Sequence, residues 1–170
     1  DFFVKENKEI NRVIDSIKHI FYEVNQRDES ADCNDILTSM HAQFNLLMDV
    51  EKHYLRKENL LFPFLEKHEI TGPPMVMWGK HDEIRSFLKS CFPLFENNSE
   101  SNAEAVKGFI ELIFEPTLKL IEEMIFKEEK ILFPMCMDTL TELEWYEVQN
   151  QSAEIGFCLY YPEKEWKPEF

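Results

Sequence analysis

Four long stretches of this chain repeat apolar residues at three- and four-residue steps, and near one end of each a polar, metal-competent residue breaks the apolar row. That spacing is the signature of amphipathic helices. A polar group on a core-facing row costs free energy unless something satisfies it, so any fold of this chain has to bring the four interruptions together or hide each separately. The first stripe is Phe3, Ile10, Ile14, Ile17, Phe21 and Val24, with Asn7 completing it beside Glu6, and predicts a helix over 3–24. The polar stretch 25–34 reads as a loop. A second helix is expected over 35–67, with one row of Leu46, Val50, His53, Lys57 and Leu60 and a second of Leu47, Tyr54, Glu58, Leu61 and Leu65.

Gly72, Pro73 and Pro74 break the chain, and Pro is tolerated in a first helical turn. The third helix starts there, with the row Met77, His81, Ile84, Leu88, Phe92 and Phe95, and Pro93 bends or ends it. Residues 97–102 form a loop in which Ser101 is a candidate cap. The fourth helix covers 103–137, with Leu118, Ile121, Ile125, Glu128 and Leu132 inward and a kink expected at Pro116. A shorter fifth helix begins at Thr141, where Thr141 and Glu144 fit a capping box, and ends before Gly156. The tail 159–170, with Pro162, Trp166 and Pro168, reads as a linker after a single domain spanning 1–158.

A weak internal repeat relates the second and fourth helices. Arg56-Lys57-Glu58-Asn59-Leu60-Leu61-Phe62-Pro63 aligns with Lys127-Glu128-Glu129-Lys130-Ile131-Leu132-Phe133-Pro134. Each then closes a helical hairpin, the layout of an up-down-up-down four-helix bundle. In such a bundle Asn7, Glu58, His81 and Glu128 lie at one end, at depths that agree within about a turn at ~1.5 Å rise per residue.

Composition supports the all-α reading: 15 Phe and 7 Met stand against 4 Gly in 170 residues, and no segment alternates as a strand would. Lys and Arg number 18 against 33 Asp and Glu, a net charge of -15 that repels nucleic acid and anionic lipid. No apolar run is long enough to span a membrane and no signal peptide is evident, which makes the cytoplasm the expected location. Cys33, Cys91, Cys136 and Cys158 lack metal-ligand spacing and read as reduced, buried thiols.

Each interruption has a structural reading beside the functional one. His53 could be a hydrogen-bonded core histidine, and His81, followed by Asp82 and Glu83, a first-turn histidine. Glu128 could pair with Lys57, its partner in the repeat, and Glu58, Glu122 and Glu129 lie in acidic segments where solvation is the default. His19, His41 and His68 read as surface or loop residues. Inward Glu and His on facing helices are also how bundles hold iron, manganese or zinc.

The chain resembles the hemerythrin-like, or HHE cation-binding, domains, and more closely those fused ahead of PAS sensory domains. The resemblance rests on Lys5-Glu6-Asn7, the stretch from His53 to Pro63, Gly72 to Gly79, Asp82 to Arg85, Met124 to Glu129, Glu154 to Cys158 and Glu165 to Pro168. It implies a non-haem di-iron centre built from His on the first and third helices and HxxxE on the second and fourth. This sequence departs from that set. It has Asn7 for the first His, Lys57 at the first Glu with Glu58 one residue on, and Met124 for the last His, while His53, His81 and Glu128 are kept.

The residues expected at a metal are therefore His53, Glu58, His81 and Glu128, with a single iron or another divalent ion favoured over two because the Lys57 ammonium repels a second. Haem is the alternative cofactor, with His53 and His81 as axial ligands beside Met77 and Trp78. The resemblance implies a gas or redox sensor signalling to a C-terminal PAS domain or other signalling partner, with a homodimer as a further expectation. A metal-free interaction module is the competing reading. A metalloenzyme ranks last, because redox catalysis by two metals needs the ligands that are missing and no nucleophile pattern replaces them.

Overall fold

The computed structural model describes residues 2–96, 102–160 and 162, and these form four helical rods and a crossing helix. The first rod is α1 (Phe2–Asn25), and the second joins α2 (Asn34–Leu47), α3 (Val50–Arg56) and α4 (Phe62–Lys67). The third is α5 (Gly72–Glu96), and the fourth joins α6 (Ala103–Phe109), α7 (Glu115–Lys127) and α8 (Phe133–Thr139). α9 (Glu142–Ile155) follows and packs on α3 and the turn after it. α1 packs on α2 and on α6 and α7, while α5 packs on α2 and α7, which is an up-down-up-down bundle. No β-strand is present among the described residues, and none of their helices is long and apolar enough to cross a membrane.

The second and fourth rods are not the unbroken helices the periodicity predicts. The second tightens at Met48 and Asp49, where Asp49 N–H donates to the Leu46 carbonyl at 3.1 Å and Glu51 N–H to that of Met48 at 3.2 Å. Single π-helical turns then occupy Lys57–Leu61, Ile110–Phe114 and Glu128–Leu132. Each ends two residues before a proline: Pro63, Pro116 or Pro134. Proline lacks the N–H that the helical ladder needs and its ring crowds the carbonyl a turn earlier, and a wider turn relieves both. By contrast, α5 runs on through Pro93 to Glu96 instead of ending there.

The two ends of the bundle differ in chemistry. One is aromatic: Phe95 stacks on Phe114 at 5.2 Å, Phe44 lies 5.2 Å from Phe114, and His41 stacks on Phe95 at 4.9 Å. His41 is thus half-buried rather than a surface residue, because its ring extends this stack. The cap of α6 is Asn102, which accepts from Ala105 N–H, while Ser101, proposed from sequence, lies outside the described residues.

At the other end α9 begins with the capping box read from the sequence. Thr141 Oγ1 accepts from Glu144 N–H at 3.2 Å and Glu144 Oε1 accepts from Thr141 N–H at 2.9 Å. Glu144 also accepts from His68 at 2.8 Å and Lys67 at 3.3 Å, tying α9 to the end of α4. Gly156 ends α9 at φ 101°, a conformation that side chains resist, and turns the chain back over the bundle end.

Burial works against charge on Glu144, but the Thr141 N–H, His68 and Lys67 together hold its carboxyl down at about 2. A carboxyl depressed in the folded state adds stability above its unfolded pKa and loses it as pH falls through the folded one. Chemical denaturation between pH 5 and about 2 should therefore show stability falling with pH. Glu144→Gln is expected to be less stable at neutral pH and to show a shallower acid decline; an identical slope in the variant would remove Glu144 from the account.

Candidate buried charge centre

The polar interruptions converge at the end opposite the aromatic stack, and they are all inside. Glu6, Asn7, His53, Arg56, Lys57, Glu58, His81 and Glu128 are each buried. The π turns bring two of them face to face. Lys57 and Glu128 open their respective π turns, occupy equivalent places in the internal repeat, and carry opposite charge. Their side chains are fully buried and Lys57 Nζ donates to Glu128 Oε1. The wide turn also admits Glu58 beside Lys57 on the inner side, which a regular helix allows less readily for adjacent residues.

Glu128 is the hub of one half. His53 Nε2–H donates to its two oxygens at 2.9 and 3.1 Å, and Asn7 Nδ2 donates at 2.9 Å. His53 Nδ1 lies 3.4 Å from Glu6 Oε1. Glu6 in turn accepts from Arg56 Nη1 and from the backbone N–H of Cys158. The Arg56 guanidinium rests on the rings of Phe3 and Phe157, 4.5 and 4.6 Å from their centres.

Glu58 is the hub of the other half. His81 Nδ1–H donates to its Oε2 at 2.7 Å, and Arg85 donates twice to the same carboxylate, both at 2.8 Å. The imidazole of His81 lies parallel to Tyr54 at 4.4 Å and to Phe62 at 5.9 Å. Its Nε2 has no hydrogen-bond partner, and neither do Asn7 Oδ1 or Arg56 Nε, while His53 Nδ1 has only the 3.4 Å approach to Glu6.

Electrostatics follow from this pairing. Burial opposes charge on Glu128, Glu6 and Glu58, yet their cationic neighbours hold all three carboxyls below the usual carboxylate range: His53 and Lys57 for Glu128, His53 and Arg56 for Glu6, His81 and Arg85 for Glu58. Burial pulls Lys57 down against the attraction of Glu128. Burial and then the Lys57 charge push His81 down to about 3, so it is a neutral imidazole whose Nε2 carries a lone pair. His53 moves the other way: burial is outweighed by Glu128 and Glu6, which raise it.

Glu6, Glu58 and Glu128 thus face three fixed cations, Arg56, Lys57 and Arg85. The residues read as ligands fall into two pairs, His53–Glu128 and His81–Glu58, with Lys57 on Glu128. Among the described residues no group of three or more His, Cys, Asp or Glu side chains is placed to hold a metal ion. Met77 is buried in the core, whereas Trp78 is 42% exposed and lines a surface cleft with Met75 and Gly79.

Sequence reasoning missed Arg56 and Arg85. Arg56 sits between the two inward rows and has no apolar periodicity of its own, so the only available signal was its place beside His53 in the most motif-like stretch. The four cysteines are free and buried, as expected, and burial raises Cys91 to about 11 and Cys136 to about 12.

An all-α bundle with a buried carboxylate and imidazole centre defines the class of fold. The family model for the hemerythrin HHE cation-binding domain matches residues 1–136, and the chain belongs to that family. A search of curated proteins gave no match. The matched span ends within α8, so α9 and the segment after it lie beyond it.

Breaking one member of a buried ion pair leaves an uncompensated charge and costs roughly 3–5 kcal/mol, whereas replacing both by apolar groups of similar volume is often neutral or stabilising. Lys57→Met should therefore destabilise the bundle by about that amount. Adding Glu128→Leu to it should recover little, because His53 and Asn7 lose their acceptor. Chemical denaturation of the two variants checks this, and full recovery would mean that Lys57 is the sole partner that matters to Glu128.

Proposed function

We propose that the chain is a sensory or regulatory domain of the hemerythrin fold in which the protein's own cations occupy most of the buried centre, leaving at most one metal ion to be bound. The buried Lys57–Glu128 pair carries this reading. The family binds cations, and here an ammonium sits on the carboxylate that the resemblance makes a ligand. The residues do not fit a dinuclear centre. Glu128 is engaged by Lys57, His53 and Asn7, and Glu58 by Arg85 and His81. With three carboxylates already matched by three cations, every divalent ion adds charge the cluster does not balance, and the donors left without a partner are too few for two.

One metal fits better, on the His81 side. A ligating histidine ordinarily gives its second ring N–H to a carboxylate, which fixes the tautomer and frees the other nitrogen. His81 has that arrangement, with Glu58 on Nδ1 and an unpartnered Nε2. Iron held there would supply a redox- and gas-responsive cation, and manganese or zinc suits the same donors. Haem is less well supported, since His53 Nε2 is taken by Glu128 and neither the cleft beside Trp78 nor the cavity under α9 is lined by His53 or His81.

A sensor needs an element whose arrangement the bound species biases. The contacts of the segment after α9 support that role for it. Cys158 N–H donates to Glu6, Leu159 N–H donates to Asp49 at 3.0 Å, and Phe157 covers Arg56. A change of charge in the centre would alter the grip of Glu6 and Arg56 on this segment, and through it on a PAS domain or other partner following residue 159.

Elemental analysis and anaerobic titration with ferrous iron, manganese and zinc test the stoichiometry. The expected result is no more than one ion per chain, lost in His81→Ala with the helix content kept; two ions per chain would sink the proposal. Lys57→Glu, which exchanges the internal cation for a carboxylate, is expected to raise the metal-to-protein ratio, and an unchanged ratio would count against electrostatic exclusion by Lys57.

A further inference from the structure

α9 is attached to the bundle by different means from the rods. It has 14 residues, the same length as α2. α2 buries Ile36, Leu37, Met40, Phe44 and Leu47, whereas Val148 is the single buried apolar side chain of α9, whose other buried residues are Glu144 and Ser152. Trp145 and Ile155 pack on the core but stay half-buried. Under the helix lies a cavity of about 500 Å³, lined by Trp145, Val148 and Ser152 of α9 and by Phe2 and Phe3 of α1. Docking strength follows the apolar area removed from water and the closeness of packing, and this interface is poor in both.

Polar contacts at the two ends supply what the middle lacks. Near the start of α9, Glu144 accepts from His68 at 2.8 Å and from Lys67 at 3.3 Å. Just beyond its end, Cys158 N–H donates to Glu6 and Leu159 N–H donates to Asp49 at 3.0 Å. Each is a bond that water can replace, so the net cost of release per bond is modest.

Segments with few buried apolar contacts open locally while the rest of a protein stays folded. We propose that α9 and the exit segment, residues 141–160, form a detachable arm that leaves the bundle as one unit while the four rods remain folded. Undocking breaks the bonds at both ends together and uncovers the Cys158 thiol, which is 0% exposed in the docked arm. The arm is thereby a two-state element of the kind a regulatory domain needs. It rests on the packing of α9 and not on a metal in the centre.

The full chain is labelled under native conditions with N-ethylmaleimide, an uncharged thiol reagent, and the modified cysteines are identified by peptide mapping. Cys158 is expected to react roughly a hundredfold faster than Cys33 at the start of α2 and Cys91 in α5, both buried in the rods. His68→Ala removes a bond at the end of the arm far from Cys158. It should nevertheless speed Cys158 labelling about tenfold and leave Cys33 and Cys91 unchanged. Asp49→Ala should do the same from the near end. Labelling of Cys158 no faster than that of Cys33 and Cys91 would overturn the proposal, because the arm would then open only with the whole bundle. Acceleration by Asp49→Ala but not by His68→Ala would also overturn it, since the exit segment would be fraying without α9. If His68→Ala does not fold, hydrogen exchange of the unaltered chain decides: α9 amides exchanging well ahead of those of α1 and α2 are expected, and exchange in step with them overturns the arm.

Discussion

Lys57 on Glu128 is the contact around which the charged end of this bundle is arranged. Two fully buried ions of opposite sign, contributed by equivalent positions of the second and fourth rods, have to meet, because either left unpaired in the interior would cost several kcal/mol. Their meeting fixes the register of the two rods. It also decides what else can gather there: His53 and Asn7 complete the shell of Glu128, and Glu58, displaced one residue along the π turn, recruits His81 and Arg85.

The π turns give the pair its geometry, and the prolines behind them give a physical cause. Each widened turn ends on the first residue of a Leu-Phe-Pro or Phe-Glu-Pro triplet, so the distortion has its cause in residues that are themselves outside the centre. Widened turns in helices recur at functional sites because they re-aim side chains without ending the helix. Here two of the three open on the charged residues of the centre, and the third, at Ile110–Phe114, brings Phe114 into the aromatic end.

The centre and the exit segment form one connected body. Glu6 holds both Arg56 and the Cys158 backbone, and Arg56 lies between Phe3 and Phe157. Gly156 makes this possible, because its φ of 101° turns the chain toward the bundle end just where α9 stops. One guanidinium and one carboxylate thus join the buried charges to the exit segment by direct contact.

Much of this was legible in the residues. Apolar periodicity placed all four rods, the Thr141–Glu144 pair placed the start of α9, and the inward rows identified His53, Glu58, His81 and Glu128 as buried polar residues. The repeat even paired Lys57 with Glu128. Arg56 and Arg85 were not legible, since a long cationic side chain reaches its partner from a position that follows no apolar row. Of the breaks within the second and fourth rods only a kink at Pro116 was read, and their form was hidden, because a π turn costs one residue of register and leaves the helical pattern on either side intact.

The sequence by itself determined that this is a four-rod bundle of the hemerythrin family with an altered set of polar core residues, because periodicity and residue type are local properties. Tertiary structure alone decided how those residues share their charges: which carboxylate takes Lys57, which takes Arg85, and which imidazole nitrogen is left without a partner. Those choices depend on distances between rods and on burial, and neither exists until the chain has packed.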